Sequence, residues 1–287
     1  PTSSRRQRQM CIRDSIKTTS GSGKVLGYDI STEGELIRSK IGYMPEYDSL
    51  DPGLTAIDQV RYSGELLGMN PDAATQRAHE VLQYVGLKDQ RYRKIETFST
   101  GMKQAAKLAC ALIHDPEILI CDEPTNGLDQ RAREFMLQTL RKTVMEGGRS
   151  VLMSSHVMDD VETVCDRIVM IHKGKIVVHR SIDDMVKQVE KEIEISVWGG
   201  ASQMETELSS RGLSVRRMGR NMRVTKIDDD TYTEILSSAA KAGVQVRKMT
   251  EYEPDLEDIF LLIMDKLGEE VRETRDLMTS DHMGEGL

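Results

Sequence analysis

The sequence predicts an α/β protein, a parallel sheet wrapped by helices, followed by a smaller α+β domain. Three observations carry this. Short continuous apolar runs, EILIC at 117–121 and SVLMSS at 150–155, alternate with longer helical patterns, as buried parallel strands and their crossover helices do. The first run leads directly into two adjacent carboxylates, Asp122 and Glu123, and ligands of open parallel sheets bind beyond the carboxyl ends of the strands. From about residue 192 the order changes to strand, helix, strand, strand, helix, strand, the mark of a second, smaller fold.

Taken in chain order, PTSSRRQRQMCIRDS (1–15) has four arginines and no apolar period. It reads as translated adapter or vector sequence rather than as a basic arm, and is set aside from the fold. TTSGSGKV (18–25) invites comparison with the phosphate-cradling pattern G-x-x-x-x-G-K-[ST]. Gly23 and Lys24 fit, but Thr18 stands at the first glycine and Val25 at the metal-binding hydroxyl, so the stretch reads as a glycine-rich turn before a short strand. Neither Gly27 nor the acidic stretch after it is expected to open a helix.

SKIGYMPEYDSLDPGLT gives a short apolar strand and then a loop with two prolines, Pro45 and Pro52. AIDQVRYSGELLGM is helical. DAATQRAHEVLQYVGL is a stronger helix, with Ala78, Val81, Leu82 and Val85 on one face and Gly86 as its stop. GMKQAAKLACALIHDP makes a third, apolar through Ala105, Leu108, Ala109, Leu112 and Ile113 and ended by Asp115-Pro116. After the strand EILIC come the helix RAREFMLQTLRKTVMEGG, the strand SVLMSS, the helix MDDVETVCD, and the strands RIVMIH and KIVVHR joined by a Lys-Gly turn. IEISVW, QMETELSSRG, SVRRMG, NMRVTKI, TYTEILSSAAKAG and VQVRKM give the ferredoxin-like split βαβ order. PDLEDIFLLIMDKL closes it as an amphipathic helix, and the charged run 268–287 is expected to be a disordered tail. The expected organisation is therefore 16–190, 191–267 and the tail.

Composition narrows the function. Of 287 residues, 38% are hydrophobic, 30% charged and only 4% aromatic, so aliphatic residues and the 17 methionines must fill the core. The net charge of −8 argues against nucleic-acid binding through a broad basic face. Cys11, Cys110, Cys121 and Cys165 show no paired spacing, suggesting neither disulfides nor a zinc site. No apolar run reaches the length of a membrane span, and the polar residues 1–15 do not read as a signal peptide.

The chemistry concentrates in ILICDEPTNGLD (118–129). A strand-end acid can hold Mg²⁺, and its neighbour can act on a water. FSTGMKQ (98–104) sets Ser-Thr-Gly at a helix start, where backbone N–H groups favour a phosphate. LMSSH carries His156 just past the next strand, and YMPE carries Glu46 past an earlier one.

In these segments residues 16 to about 180 resemble the ATP-binding subunits of ABC transporters. FSTGM resembles that family's signature motif, usually L-S-G-G-Q; ILICDE its Walker B strand; NGLD its D-loop; SSH its switch histidine. Four ordered motifs at suitable spacing are specific. The resemblance implies a P-loop NTPase-like ABC ATPase core with a helical signature subdomain, a permease handling the substrate, and ATP and Mg²⁺ as ligands. It also places TTSGSGKV after the P-loop helix, which implies a core incomplete at its N-terminus and lacking Walker A. The closing segment EPDLEDIFLLIMD resembles that of exporter-type ATPases.

By the same resemblance, Asp122 would hold Mg²⁺ through water and Glu46, where the family often has glutamine, would help to ligate it. Glu123 would be the general base and His156 the γ-phosphate sensor. Ser99 and Gly101 would meet the γ-phosphate of ATP on an opposite subunit, with Thr100, Met102 and Gln104 completing the motif. Thr100 and Met102 depart from the usual glycine and glutamine. Asp129 would link the two sites of a head-to-tail dimer, and the loop YDSLDPGLT would face a separate membrane permease. The expected setting is cytoplasmic, peripheral to the membrane through that permease. Two alternatives stay open: an interaction module that does not hydrolyse ATP, favoured by the missing Walker A, and a soluble ABC protein acting on DNA or ribosomes, which the acidic balance disfavours.

Overall fold

The computed structural model describes residues 18–264 apart from 189, 190, 220, 229, 253 and 262. The readings made for 1–15 and 268–287 lie outside the described residues. The chain divides into two compact units that meet between His179 and Arg180, eleven residues before the boundary expected from the sequence.

The first unit opens with a small hairpin, β1 (Lys24–Val25) and β2 (Tyr28–Asp29), turned at Leu26 and Gly27 with φ of 53° and 85°. A six-residue helix follows, α1 (Gly34–Ser39). The sequence reading had no helix here, because six residues are too few to establish a period. Its buried Ile37 is what fixes it.

Strands β3 (Ile41–Met44), β4 (Ile118–Asp122) and β5 (Ser150–Ser154) pair in parallel in the order β3–β4–β5. The side chains of β4 alternate between two cores, as a strand covered on both faces requires. Ile118 and Ile120 join Ile37 and Ile41 against the hairpin, while Leu119 and Cys121 join Met44 against the helices.

Those helices are α2 (Ala56–Leu66), α3 (Pro71–Tyr84) and α4 (Thr100–Leu112). Thr55 and Asn70 cap the first two through their side chains, satisfying backbone donors that lack a partner at a helix start. The expected apolar faces are buried: Ala78, Val81, Leu82 and Val85 on α3 and just beyond it, and Leu108, Ala109, Leu112 and Ile113 along α4. Helix α4 lies so close to β3 that a Cβ on Gly42 would stand 2.1 Å from the Ala111 carbonyl oxygen; only glycine admits that approach.

Helix α5 (Gln130–Met145) leads from β4 to β5, and α6 (Met158–Val164) follows β5. Strands β6 (Arg167–His172) and β7 (Lys175–Ser181) form a separate two-stranded sheet, turned at Lys173 and Gly174, with φ of 46° and 81°. Positive φ at both turn residues matches the twist of a two-residue hairpin.

The second unit begins within the end of β7, at Arg180, and continues through α7 (Ile182–Gln188), β8 (Glu192–Trp198), α8 (Ala201–Ser210), β9 (Val215–Met218), β10 (Asn221–Thr225), α9 (Thr231–Ala242) and β11 (Gln245–Tyr252). Its sheet has the order β11–β8–β10–β9 with every neighbouring pair antiparallel. This is the split βαβ arrangement that the element order predicted. Ile193, Ile195, Met222 and Val224 bury one face of the sheet against Met204, Leu208 and Ile235 of the two helices. A closing helix runs over residues 256–261, with Leu256 and Ile259 buried. Among the described residues, no helix is long and apolar enough to cross a membrane.

Candidate functional site

The register of the parallel sheet assembles the site. Met44 lies opposite Cys121, and Asp122 opposite Ser154. The carboxyl ends of three strands therefore reach one edge together. Glu46 stands two residues beyond β3, Asp122 and Glu123 at the end of β4, and His156 two residues beyond β5. A one-residue slip would turn the side chains of a strand to its other face.

Ser154 joins the two strand ends. Its hydroxyl donates to Asp122 Oδ1 at 2.6 Å and accepts from the Glu123 N–H at 3.1 Å. The Ser154 carbonyl also accepts from that N–H, at 3.2 Å. The Asp122 side chain is thereby held in place, 8% exposed. Glu123 has a φ of 49°, an uncommon conformation for a residue other than glycine. The chain turns sharply at the strand end, and the Glu123 side chain reaches His156, whose Nδ1 lies 2.8 Å from Oε2. An ionised carboxylate only accepts, so Nδ1 carries the proton and Nε2 is the ring nitrogen left for another partner. The His156 side chain is 71% exposed and that of Glu123 19%, so the pair faces outward at the sheet edge.

The residues of the signature-like segment occupy the start of α4. Ser99 is its N-cap and accepts from the Met102 N–H at 3.4 Å. Met102 is half-buried against the helical core. A Cβ on Gly101 would meet Ala132 Cβ at 3.1 Å, and one on Gly127 would meet Thr100 Cγ2 at 3.4 Å. Gln104 is buried, and its amide donates to the Asn126 carbonyl at 3.3 Å. Asp129 caps α5, its carboxylate accepting from the Ala132 N–H at 2.8 Å. The start of α4 and the loop 124–129 are thus packed on one another, and Gln104 is turned into that packing.

Two further groups support the site without having been singled out in the sequence. Asp160 of α6 is fully buried. It accepts from Thr125 Oγ1 at 2.5 Å and from Arg133 Nε at 2.6 Å, tying the loop after Glu123 to α5 and to the helix that follows His156. Lys107 of α4 is also buried, and its ammonium donates to the carbonyls of Pro45, Glu46 and Tyr47 at 2.9, 3.0 and 3.4 Å. Burial lowers its pKa, against the pull of Asp48 and Glu46. One helical turn earlier, Lys103 pairs with Asp48 at 2.9 Å, and that hydrogen bond holds the Asp48 carboxyl below its ordinary range. The only available signal for Lys107 was a lysine inside an otherwise apolar stripe; Asp160 gave none beyond its place in an acidic run.

The donor set fits a magnesium nucleotide rather than a dedicated metal centre. Among the described residues, no three His, Cys, Asp or Glu side chains converge as a metal cluster. Magnesium bound with a nucleotide takes one or two carboxylates and fills its shell from phosphate and water. Asp122 spends one oxygen on the Ser154 hydroxyl, and no lysine or arginine pairs with Asp122 or Glu123 among the described residues, so the edge keeps carboxylate charge for a cation. Cys110, Cys121 and Cys165 are free thiols. Burial raises the pKa of Cys110 to about 11 and that of Cys121 further still, which keeps both out of the chemistry.

A family model described as ABC transporter matches residues 9–126. The linearmycin resistance ATP-binding protein LnrL of Bacillus subtilis is 34% identical over 258 residues, covering 84% of this chain and 80% of that protein. The daunorubicin/doxorubicin resistance ATP-binding protein DrrA of Streptomyces peucetius is 27% identical over 254 residues, covering 86% and 77%. The Nod factor export ATP-binding protein I of Sinorhizobium fredii is 29% identical over 250 residues, covering 84% and 69%. Among solved structures, the dimeric ATP-binding cassette MJ0796 bound to ADP and Pi superposes with a TM-score of 0.57 at 25% identity, over 63% of this chain and 82% of that one.

Proposed function

The chain belongs to the ABC transporter family as one of its ATP-binding proteins, and from that premise we propose how its sheet edge handles ATP for an exporter. The observation that carries the proposal is the parallel register, which sets Glu46, Asp122, Glu123 and His156 along one edge, with Glu123 and His156 in hydrogen-bond contact.

In this reading Asp122, oriented by Ser154, and Glu46 hold Mg²⁺. When bound, the ion neutralises charge on the phosphate oxygens. Glu123 is the general base that orients and deprotonates the attacking water. Phosphoryl transfer asks mostly for positioning, so a single well-held base suffices. His156 steadies Glu123 through Nδ1 and turns Nε2 toward the γ-phosphate; a phosphate contact there calls for the doubly protonated ring. Ser99 and the N–H groups at the start of α4 meet the γ-phosphate of a nucleotide on a second ATP-binding subunit. Asp129 and its loop carry the state of one site to the other across that dimer. Export in the name of the Nod factor relative and drug resistance in the names of the other two support an exporter; a separate membrane permease then handles the cargo, with the 47–55 loop turned toward it. The working place of the chain is then the cytoplasmic face of that permease.

A second reading is an interaction module that does not hydrolyse ATP. It is favoured by one observation: no G-x-x-x-x-G-K-[ST] run occurs among the 287 residues, and that loop supplies most phosphate contacts in P-loop enzymes. Calorimetric ATP binding with Mg²⁺, together with single-turnover hydrolysis by the chain and by its Glu123→Gln variant, separates the two. Turnover that depends on Glu123 supports the ATPase reading. A folded chain with neither binding nor turnover supports the module.

A further inference from the structure

The ammonium of Lys107 sits where a metal ion would sit in a carbonyl cage. Three consecutive main-chain carbonyls, of Pro45, Glu46 and Tyr47, converge on it, and an ammonium has three N–H donors to give. The residue is 4% exposed. Its charge is therefore met by backbone dipoles, with Glu46 and Asp48 acting on it at longer range. Lys103, four residues earlier and so on the same face of α4, takes the Asp48 carboxylate. Two successive turns of the helix whose N-cap is Ser99 thus grip one four-residue run, and Glu46 lies in the middle of it.

We propose that Lys107 is a positioning residue, a built-in cation that fixes the Glu46 loop to the helix headed by Ser99 by filling a cradle of three carbonyls. The loop and the helix then move as one body. The working role given to Glu46 rests on the function proposed above; the clamp itself does not.

The test is hydrogen exchange on the full chain without nucleotide. Lys107→Met keeps the length of the side chain and removes the charge, leaving buried carbonyls without a donor. Amides 46–51 should then exchange about tenfold faster or more, while β8 and β10 of the second unit exchange as before. Lys107→Ala vacates the cradle, and methylammonium or K⁺ at high concentration should restore protection to that loop. Lys103→Met, at a more exposed position, should loosen the loop less, and it serves as the readout if the Lys107 variants fail to fold. Unchanged exchange at 46–51 in a folded Lys107→Met chain overturns the proposal. So does a loss of protection spread evenly over the first unit, or a Lys107→Ala chain that no small cation repairs. Failure of the unsubstituted chain to bind ATP would count against the functional reading and would leave these readouts as they are.

Discussion

His156 Nδ1 lies 2.8 Å from Glu123 Oε2, a contact between the ends of two neighbouring parallel strands. A base needs a fixed direction as much as a proton affinity, and this contact supplies one. Glu123→Gln keeps the shape and can still meet His156, but it removes the base. In a preparation that turns over ATP, kcat should fall by about a hundredfold to ten-thousandfold, while ATP affinity by calorimetry stays within a few-fold. Retained turnover would mean that the base lies elsewhere.

Asp160 holds Thr125 and Arg133 from a fully buried position. Removing it leaves Thr125 without its acceptor, while Arg133, 26% exposed, keeps only Asp159 at 3.9 Å. Asp160→Ala should therefore destabilise the first unit by about 1–3 kcal/mol, read as a lower urea midpoint with the slope unchanged. Asp160→Asn keeps an acceptor for Thr125 and should cost less. If both variants unfold at the parental midpoint, the network does not stabilise the loop that follows Glu123.

Gly101 has two candidate reasons to be glycine. The resemblance gives it phosphate; the structure gives it Ala132, whose Cβ a Gly101 side chain would meet at 3.1 Å. Gly101→Ala should cost about 1 kcal/mol by overpacking, and the loss should be relieved when Ala132→Gly is added, as a favourable coupling in the double-mutant cycle. Nucleotide-driven dimerisation separates the reasons. If the phosphate role holds, the double variant regains stability but not dimerisation. Recovery of both would leave packing as the whole explanation.

The parts of this fold that were legible in the sequence are those whose signal is local. EILIC and SVLMSS read as strands because apolar or small residues fill them after the leading Glu117, and Asp122-Glu123 stood out because charge follows such a run at once; the expected burial holds for β4 but not for β5, whose Leu152 is 42% exposed. The motif spacing added His156 and Ser99. What stayed hidden acts across the fold. Ser154 matters because its strand pairs with β4 in one particular register. Lys107 matters because the loop it grips lies some sixty residues away. Helix α1 was missed for a different reason, its brevity: a single buried isoleucine holds it. A period can be counted from neighbours, but a register or a carbonyl cradle cannot.

In the second unit, the Arg223 guanidinium stacks 3.6 Å from the centre of the Tyr252 ring and pairs with Asp258 of the closing helix at 3.2 Å, while the Tyr252 hydroxyl donates to Asp258. Burial, then the bond to Asp258, raises the Tyr252 pKa from 10.0 to about 12, with Arg223 acting the other way. The folded state keeps this proton longer than the unfolded chain does. Its stabilising contribution is therefore complete below pH 10.0 and is lost as pH rises from there through about 12. For Asp258 burial works upward, but the Tyr252 hydroxyl and Arg223 outweigh it and its pKa is lowered. That contribution is present above the ordinary carboxylate range and is lost as pH falls through the lowered value. The closing helix should accordingly loosen at both extremes, seen as rising amide exchange over 256–261. Tyr252→Phe keeps the ring under Arg223 and removes the proton, so it should abolish the alkaline limb, leave the Arg223–Asp258 part of the acid limb, and lower protection at neutral pH. An alkaline limb that persists in Tyr252→Phe would assign the transition to another group.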